Sequence, residues 1–198
     1  SKYINRIIVS TDSDEIAKIS REFGAEVPFR RPKEISQDDS TELAVFIHAL
    51  NWLKIKYIPD LIVKLFPTAP FRKTNSVDKA IELLMANPEA GSVRSVKLCS
   101  EHPHKMWTID KKANRLRSLF PLEEKLPEAH TLSYHLLPTV YIQNANIDVT
   151  KPSVVFEKKS ITGTEIVPLF MDEYESIDIN TPLDFEFAKL LIKDNSLI

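Results

Sequence analysis

The residues whose types and spacing are best suited to chemistry lie near the end of the chain, in Ile177-Asp178-Ile179-Asn180-Thr181. On an extended backbone Asp178 and Asn180 share one face and Ile177 and Ile179 the other, because strand side chains alternate with a period of two. A carboxylate and an amide oxygen at that spacing can hold a hard cation such as Mg²⁺, with water completing the shell. The same pair can instead cap the next helix, which Thr181, Pro182 and Asp184 announce. Spacing alone leaves both readings open. His102 and His104 could ligate a metal through two imidazoles, but no Cys or third His lies at ligand spacing. Cys99 has no local cue for a reactive thiolate and reads as a small buried hydrophobe.

The elements that must position these residues are legible as periodic runs. Arg6 to Ser10 is a β-branched run of the kind buried in a parallel sheet. Asp12 and Glu15 then form a capping-box pattern, Ile16, Ile19 and Phe23 recur at helical spacing, and Gly24 ends the helix. A second helix starts near Ser40 and places Leu43, Phe46, Ile47, Leu50 and Leu53 on one face. Residues 61–66 are a strand, Val77, Ala80, Ile81 and Leu84 mark a third helix, and residues 92–96 another strand. From about 101 to 138 no clean period holds. Order resumes with β-rich runs at 139–149 and 165–170, then a helix turning Phe187, Ala188 and Leu191 inward. Such alternation predicts an α/β fold, a mostly parallel sheet with helices on both faces. In such sheets ligands lie beyond the carboxyl ends of strands. That singles out residues 10–12, 67–70 and 176–181.

Composition narrows the function classes. Of 198 residues only three are glycine, Gly24, Gly91 and Gly163, where average usage would give roughly 14. No dinucleotide-binding or Walker phosphate loop can be written with them. The 26 basic and 28 acidic residues nearly cancel, so there is no electrostatic footprint for nucleic acid. Trp52 and Trp107 read as core or interface anchors. A lone cysteine fits a reducing, cytoplasmic setting, and no apolar run is long enough to span a membrane. The chain opens on what reads as the tail of a helix running into a strand. An N-terminally truncated domain is therefore expected.

Six runs, in order, resemble the acylneuraminate cytidylyltransferase family. They are Arg6 to Ile16, Arg30-Arg31-Pro32, Phe66-Pro67-Thr68-Ala69-Pro70-Phe71-Arg72, His102-Pro103-His104-Lys105, Tyr141-Ile142-Gln143-Asn144, and Ser176 to Phe185. The resemblance implies a single Rossmann-like nucleotidyltransferase domain over 1–198, with residues 101–138 as a dimerisation and substrate arm of a homodimer. It implies CTP and an acidic nine-carbon (nonulosonic) sugar as substrates. Carried over, Asp178 and Asn180 become the Mg²⁺-binding and catalytic pair. Arg31, Ser40, Thr41, Glu42 and Thr68 become nucleotide-binding, and Lys105, Asn144 and Tyr141 sugar-binding. Neither nucleic acid nor membrane is an expected partner.

The family's glycine-rich phosphate loop precedes the first of these runs, so little activity is expected of residues 1–198 alone. Several positions depart from the family pattern. Asn180 replaces a second aspartate, Ala145 a glycine, Phe66 a glutamine and Ile142 an arginine, and Ser133-Tyr134-His135 stands for an Arg-Gln pair. Most of these lie on the sugar side. They leave open a non-catalytic nucleotide- or sugar-binding homologue, or a cytidylyltransferase for another acidic sugar.

Overall fold

The computed structural model describes residues 1–55, 57–120 and 128–193. These form two compact units, Ser1–Ser95 with Asn144–Ile198, and Val96–Gln143.

The first unit is built on a four-stranded sheet. Its strands are β1 (Ile62–Leu65), β2 (Ser92–Leu98), β5 (Tyr141–Thr150) and β6 (Ile166–Phe170), in the order β1-β5-β2-β6. The mostly parallel sheet expected from strand–helix alternation is corrected here, because β5 is reversed and the sheet is mixed. β5 runs antiparallel to β1, from Ile62↔Thr150 to Leu65↔Ile147. Against β2 it is also antiparallel. Lys151 N donates to Gly91 O (3.1 Å) and Ile147 N to Ser95 Oγ (2.8 Å), so partner numbers fall as β2 advances. The physical reason lies in the connection. A parallel neighbour needs a crossover that carries the chain back to the start of the sheet. After β2 the chain instead returns at the end it left, with Cys99 N donating to Val140 O (3.0 Å). Parallel pairing survives at Ile8, which bridges Glu26.

Helices cover both faces of the sheet, as expected. Consecutive residues of β1 show this, since a strand points them to opposite sides. Val63 packs with the cluster formed by α3 (Thr74–Ala86) through Val77, Ala80, Ile81 and Leu84, together with Val93, Ile147, Val149 and Leu169. Ile62 packs with Leu50 and Leu53 of α2 (Glu42–Lys54) and with Val155 of α4 (Pro152–Phe156). The apolar face predicted for α2 is the face it buries, and Trp52 joins that cluster.

Two helices differ in detail from expectation. In α1 (Asp14–Glu22) the N-cap is Ser13, whose side chain accepts from Ile16 N, because Asp12 is engaged by Arg31 (3.4 Å). Its buried residue is Ala17, while Ile16, Ile19 and Phe23 stay exposed. In α5 (Pro182–Lys193) Ala188 is buried but Phe187 is exposed.

The second unit contains an antiparallel hairpin that periodicity did not reveal, β3 (Trp107–Asp110) with β4 (Arg115–Ser118). Its turn is chemically specified. Asp110 Oδ1 accepts from the amides of Lys112 and Ala113 (both 3.1 Å), and Asn114 takes a positive φ, which asparagine tolerates. Residues 121–127 of the expected arm lie outside the described residues.

The sheet interior holds one costly feature, a charged pair of Arg94 and Asp148, their side chains 7% and 1% exposed. Burial pushes the Asp148 carboxyl above its usual range, and Arg94 and Lys64 pull the other way. Arg94 also donates to Ile161 O (2.8 Å), so the cation fastens the loop after α4. Removing one member of such a pair strands the other charge. Arg94→Met is expected to cost about 3–5 kcal/mol in a urea unfolding titration, and Arg94→Met with Asp148→Leu to recover most of it.

Candidate active site

Two loops meet at the carboxyl end of β1. The first is residues 66–72, which turns the chain from β1 into α3. The second is residues 172–181, between β6 and α5. Ile179 N donates to Thr68 O (2.9 Å), so Thr68 lies directly against the segment carrying Asp178 and Asn180. Sequence reasoning singled out both segments separately, and the fold joins them.

Within the second loop Asn180 Nδ2 donates to Asp178 Oδ2 (2.8 Å). One amide hydrogen is thereby used, and the amide oxygen can serve as a ligand atom. Asp178 Oδ1 is buried with no hydrogen-bond partner. An orphaned buried carboxylate oxygen is costly unless something binds it, and a cation is the simplest such partner. The capping reading holds for other residues of the same loop. Asp184 accepts from Asn180 N (3.0 Å), Thr181 N (2.7 Å) and Thr181 Oγ1 (2.8 Å). These bonds hold the Asp184 carboxyl below its usual range. Asp184 therefore closes the helix start, and Asp178 remains available to a ligand. Among the described residues no group of three or more His, Cys, Asp and Glu side chains could hold a metal. A carboxylate and an amide oxygen, as in Asp178 and Asn180, are donor types that suit a Mg²⁺ keeping several waters or substrate oxygens.

Asn144, on β5, belongs to the same end of the sheet. It is 5% exposed. Its Nδ2 donates to Ser176 Oγ (2.7 Å), and its Oδ1 is another buried acceptor without a partner. Ala145, beside it, has φ +47°. Glycine adopts that left-handed conformation freely, and alanine holds it under strain.

The nucleotide-binding candidates are anchored in the first unit. Arg31 Nε donates to Ser36 Oγ (2.9 Å) and Nη2 to Asp12 Oδ1 (3.4 Å). Ser40 Oγ accepts from Gln37 N (2.8 Å). Thr41 caps α2, accepting from Ala44 N. Glu42 pairs with Lys64 of β1, and the Lys64 ammonium lies 3.7 Å from the Phe66 ring centre. These contacts place Glu42 beside Lys64, two residues before the Thr68 loop begins, and give Thr41 a capping role.

Lys105 and Tyr141 belong to the second unit. The Lys105 ammonium donates to His130 O (3.1 Å) and Leu132 O (2.7 Å), so two of its three hydrogens are committed to backbone. Tyr141 is half-exposed. His102 is a buried pin. Its Nδ1 accepts from His104 N (3.2 Å), so Nε2 carries the hydrogen donated to Pro138 O (2.9 Å), and no lone pair is left for a metal. Cys99 is half-buried, its Sγ near Glu101 O.

Three residues outside the expected set hold the two loops in place. Glu175, buried, receives Lys73 N (3.1 Å) and Ser76 Oγ (2.6 Å), which caps α3 from outside the helix. Asn146, fully buried, donates to Glu175 O. Arg72 reaches Phe66 O (3.2 Å) and Asn146 O (3.0 Å). An arginine closing a proline-rich loop was the one readable signal among them.

The architecture is a mixed α/β sheet covered by helices on both faces, with a carboxylate–amide pair in a loop at one end of it. The chain belongs to the Cytidylyltransferase family, whose profile matches residues 1–191. It is 29% identical to a CMP-N,N'-diacetyllegionaminic acid synthase of Legionella pneumophila, covering 98% of this chain and 81% of that protein. It is 26% identical to the post-translational flagellin modification protein B of Campylobacter coli, over 100% and 81% respectively. Among solved structures it resembles a CMP:2-keto-3-deoxy-manno-octonic acid synthetase complexed with CTP. That match has a TM-score of 0.63 at 10% identity, over 97% of this chain and 82% of the other, and it bears on the fold alone. Among the described residues no helix is long and apolar enough to cross a membrane.

The strain at Ala145 is directly measurable. Ala145→Gly is expected to raise unfolding free energy by about 1 kcal/mol, since glycine adopts the left-handed conformation without the Cβ clash. Urea titration of the two proteins reads it.

Proposed function

We propose that this protein transfers CMP from CTP to the anomeric hydroxyl of a nonulosonic acid, releasing pyrophosphate, and that it does so as a cytoplasmic homodimer using Mg²⁺. The observation that carries the reading is the buried, unpartnered Asp178 Oδ1 held beside Thr68. Family membership and the legionaminic acid synthase relatives support the substrate class.

The reaction asks for positioning and charge neutralisation rather than a protein nucleophile. The anomeric oxygen bonds to the α-phosphorus, the bond from that phosphorus to the bridging oxygen breaks, and the hydroxyl proton leaves to solvent. Asp178 and Asn180 would hold Mg²⁺, which when bound offsets negative charge on the phosphate oxygens. Asn180 keeps Asp178 oriented through its amide hydrogen bond. It also leaves the pair one charge poorer than two aspartates. Thr68, with its carbonyl fixed by Ile179, keeps its hydroxyl for substrate. Asn144 offers its unpartnered Oδ1 to a sugar hydroxyl. Arg31 and Ser40 are the groups proposed to recognise cytosine. Lys105, held on two carbonyls, contributes a fixed positive charge toward an acidic sugar.

The test is pyrophosphate release by the gene product with CTP, Mg²⁺ and a panel of nonulosonic acids. Turnover with at least one sugar is expected, and Asp178→Asn should lower it at least about 100-fold. Asn180→Asp should reduce the Mg²⁺ concentration giving half-maximal rate. No turnover with any acceptor, together with CTP binding indifferent to Mg²⁺ by calorimetry, would establish a non-catalytic binding protein instead.

A further inference from the structure

The contacts behind the site close on themselves. Arg72 Nη1 donates to Phe66 O (3.2 Å), Asn146 O (3.0 Å) and Asn146 Oδ1 (3.3 Å), and Nη2 to Phe66 O (3.3 Å). Asn146 Nδ2 donates to Glu175 O. Two residues past Ser176 the chain reaches Asp178, and Ile179 N returns to Thr68 O (2.9 Å). Thr68 lies between Phe66 and Arg72 in sequence. The circuit therefore runs Thr68, Arg72, Asn146, Glu175, Ile179 and back to Thr68, so slack in one link is transmitted to all.

The choice of side chain is informative. Arg72 has no carboxylate within ion-pair distance among the described residues, and burial alone holds its guanidinium below the usual range. Keeping a cation there is expensive, and an apolar residue would fill the space at lower cost. What neither an apolar residue nor a single ammonium offers is a planar fork whose two nitrogens share the Phe66 and Asn146 carbonyls. Phe66 N and Asn146 O already form the last contact between β1 and β5 (3.3 Å), so strand pairing alone does not require the guanidinium. Its additional bonds tie that strand end to the Thr68 loop and, through Asn146, to the turn leading into Asp178.

We propose that Arg72 and Asn146 are positioning residues of the transfer reaction. They set the separation between the Thr68 loop and the Asp178–Asn180 loop, and contact no substrate themselves. The proposal rests on the CMP-transfer reading for its catalytic consequence, though not for its structural one.

Two variants test it, Arg72→Lys and Asn146→Ala, each by amide hydrogen exchange and by steady-state kinetics. The Ile179 amide is expected to exchange at least about tenfold faster in both, with the Leu53 and Leu84 amides at wild-type rates. In an active enzyme kcat should fall at least about tenfold while KM for CTP changes less than about threefold, as for misplaced groups in a bound complex. The two variants combined should be little worse than either alone. Wild-type exchange at Ile179 overturns the proposal. So does acceleration of Leu53 and Leu84 equal to that of Ile179, which would make the pair a general fold support. An unchanged kcat in an active enzyme overturns it as well. If the wild-type protein transfers no CMP, the function reading fails while exchange at Ile179 still decides whether the clamp exists.

Discussion

The site depends on one constraint, that polar groups buried at the strand ends of the sheet must find partners inside the protein. Asn146 is fully buried, Asn144, Glu175 and Ser176 nearly so, and Arg72 is half-buried. Asn144, Asn146, Glu175 and Arg72 each make hydrogen bonds to another element, while Ser176 bonds back within its own loop. Asn144 reaches Ser176 (2.7 Å), Ser176 reaches Asp172 O (2.5 Å), and Glu175 caps α3. Because an unmade buried hydrogen bond is penalised by roughly 1–3 kcal/mol, this set has few alternative arrangements. Among the buried side-chain oxygens left without a hydrogen-bond partner, Asp178 Oδ1 and Asn144 Oδ1 lie beside these loops. They are the natural places for a ligand to complete the network.

The reversed strand β5 is what brings those groups together. A parallel crossover would have returned the chain at the far end of the sheet. Reversal instead brings β5 in at the carboxyl end of β1, so Asn144 and Asn146 enter the sheet beside Phe66 and the Thr68 loop. The 42-residue gap between Leu98 and Tyr141 that interrupts strand–helix alternation is therefore also the reason the strand direction changes. Ala145, between the two asparagines, takes a left-handed φ inside β5.

How much of this was legible depends on the range of the contacts. The apolar face of α2, the inward face of α3 and the start of α5 were readable because each is a local pattern within one element. Asp178, Asn180 and Thr68 were readable as strand-end residues, and their juxtaposition was not, since it rests on a hydrogen bond between residues 111 positions apart. The direction of β5 was illegible because a buried strand has the same residue pattern whichever way it runs. Asp12 was misassigned as a cap because its pull toward Arg31 is tertiary. Arg72, Asn146 and Glu175 carry no periodic signature, and their roles exist only once the loops meet.

The most direct measurement is a crystal structure of the gene product with CTP and Mg²⁺. The account predicts a metal ion about 2.1 Å from Asp178 Oδ1, bridging to phosphate oxygens, with the Ile179–Thr68 hydrogen bond retained. A bound triphosphate whose metal makes no contact with Asp178 would contradict it.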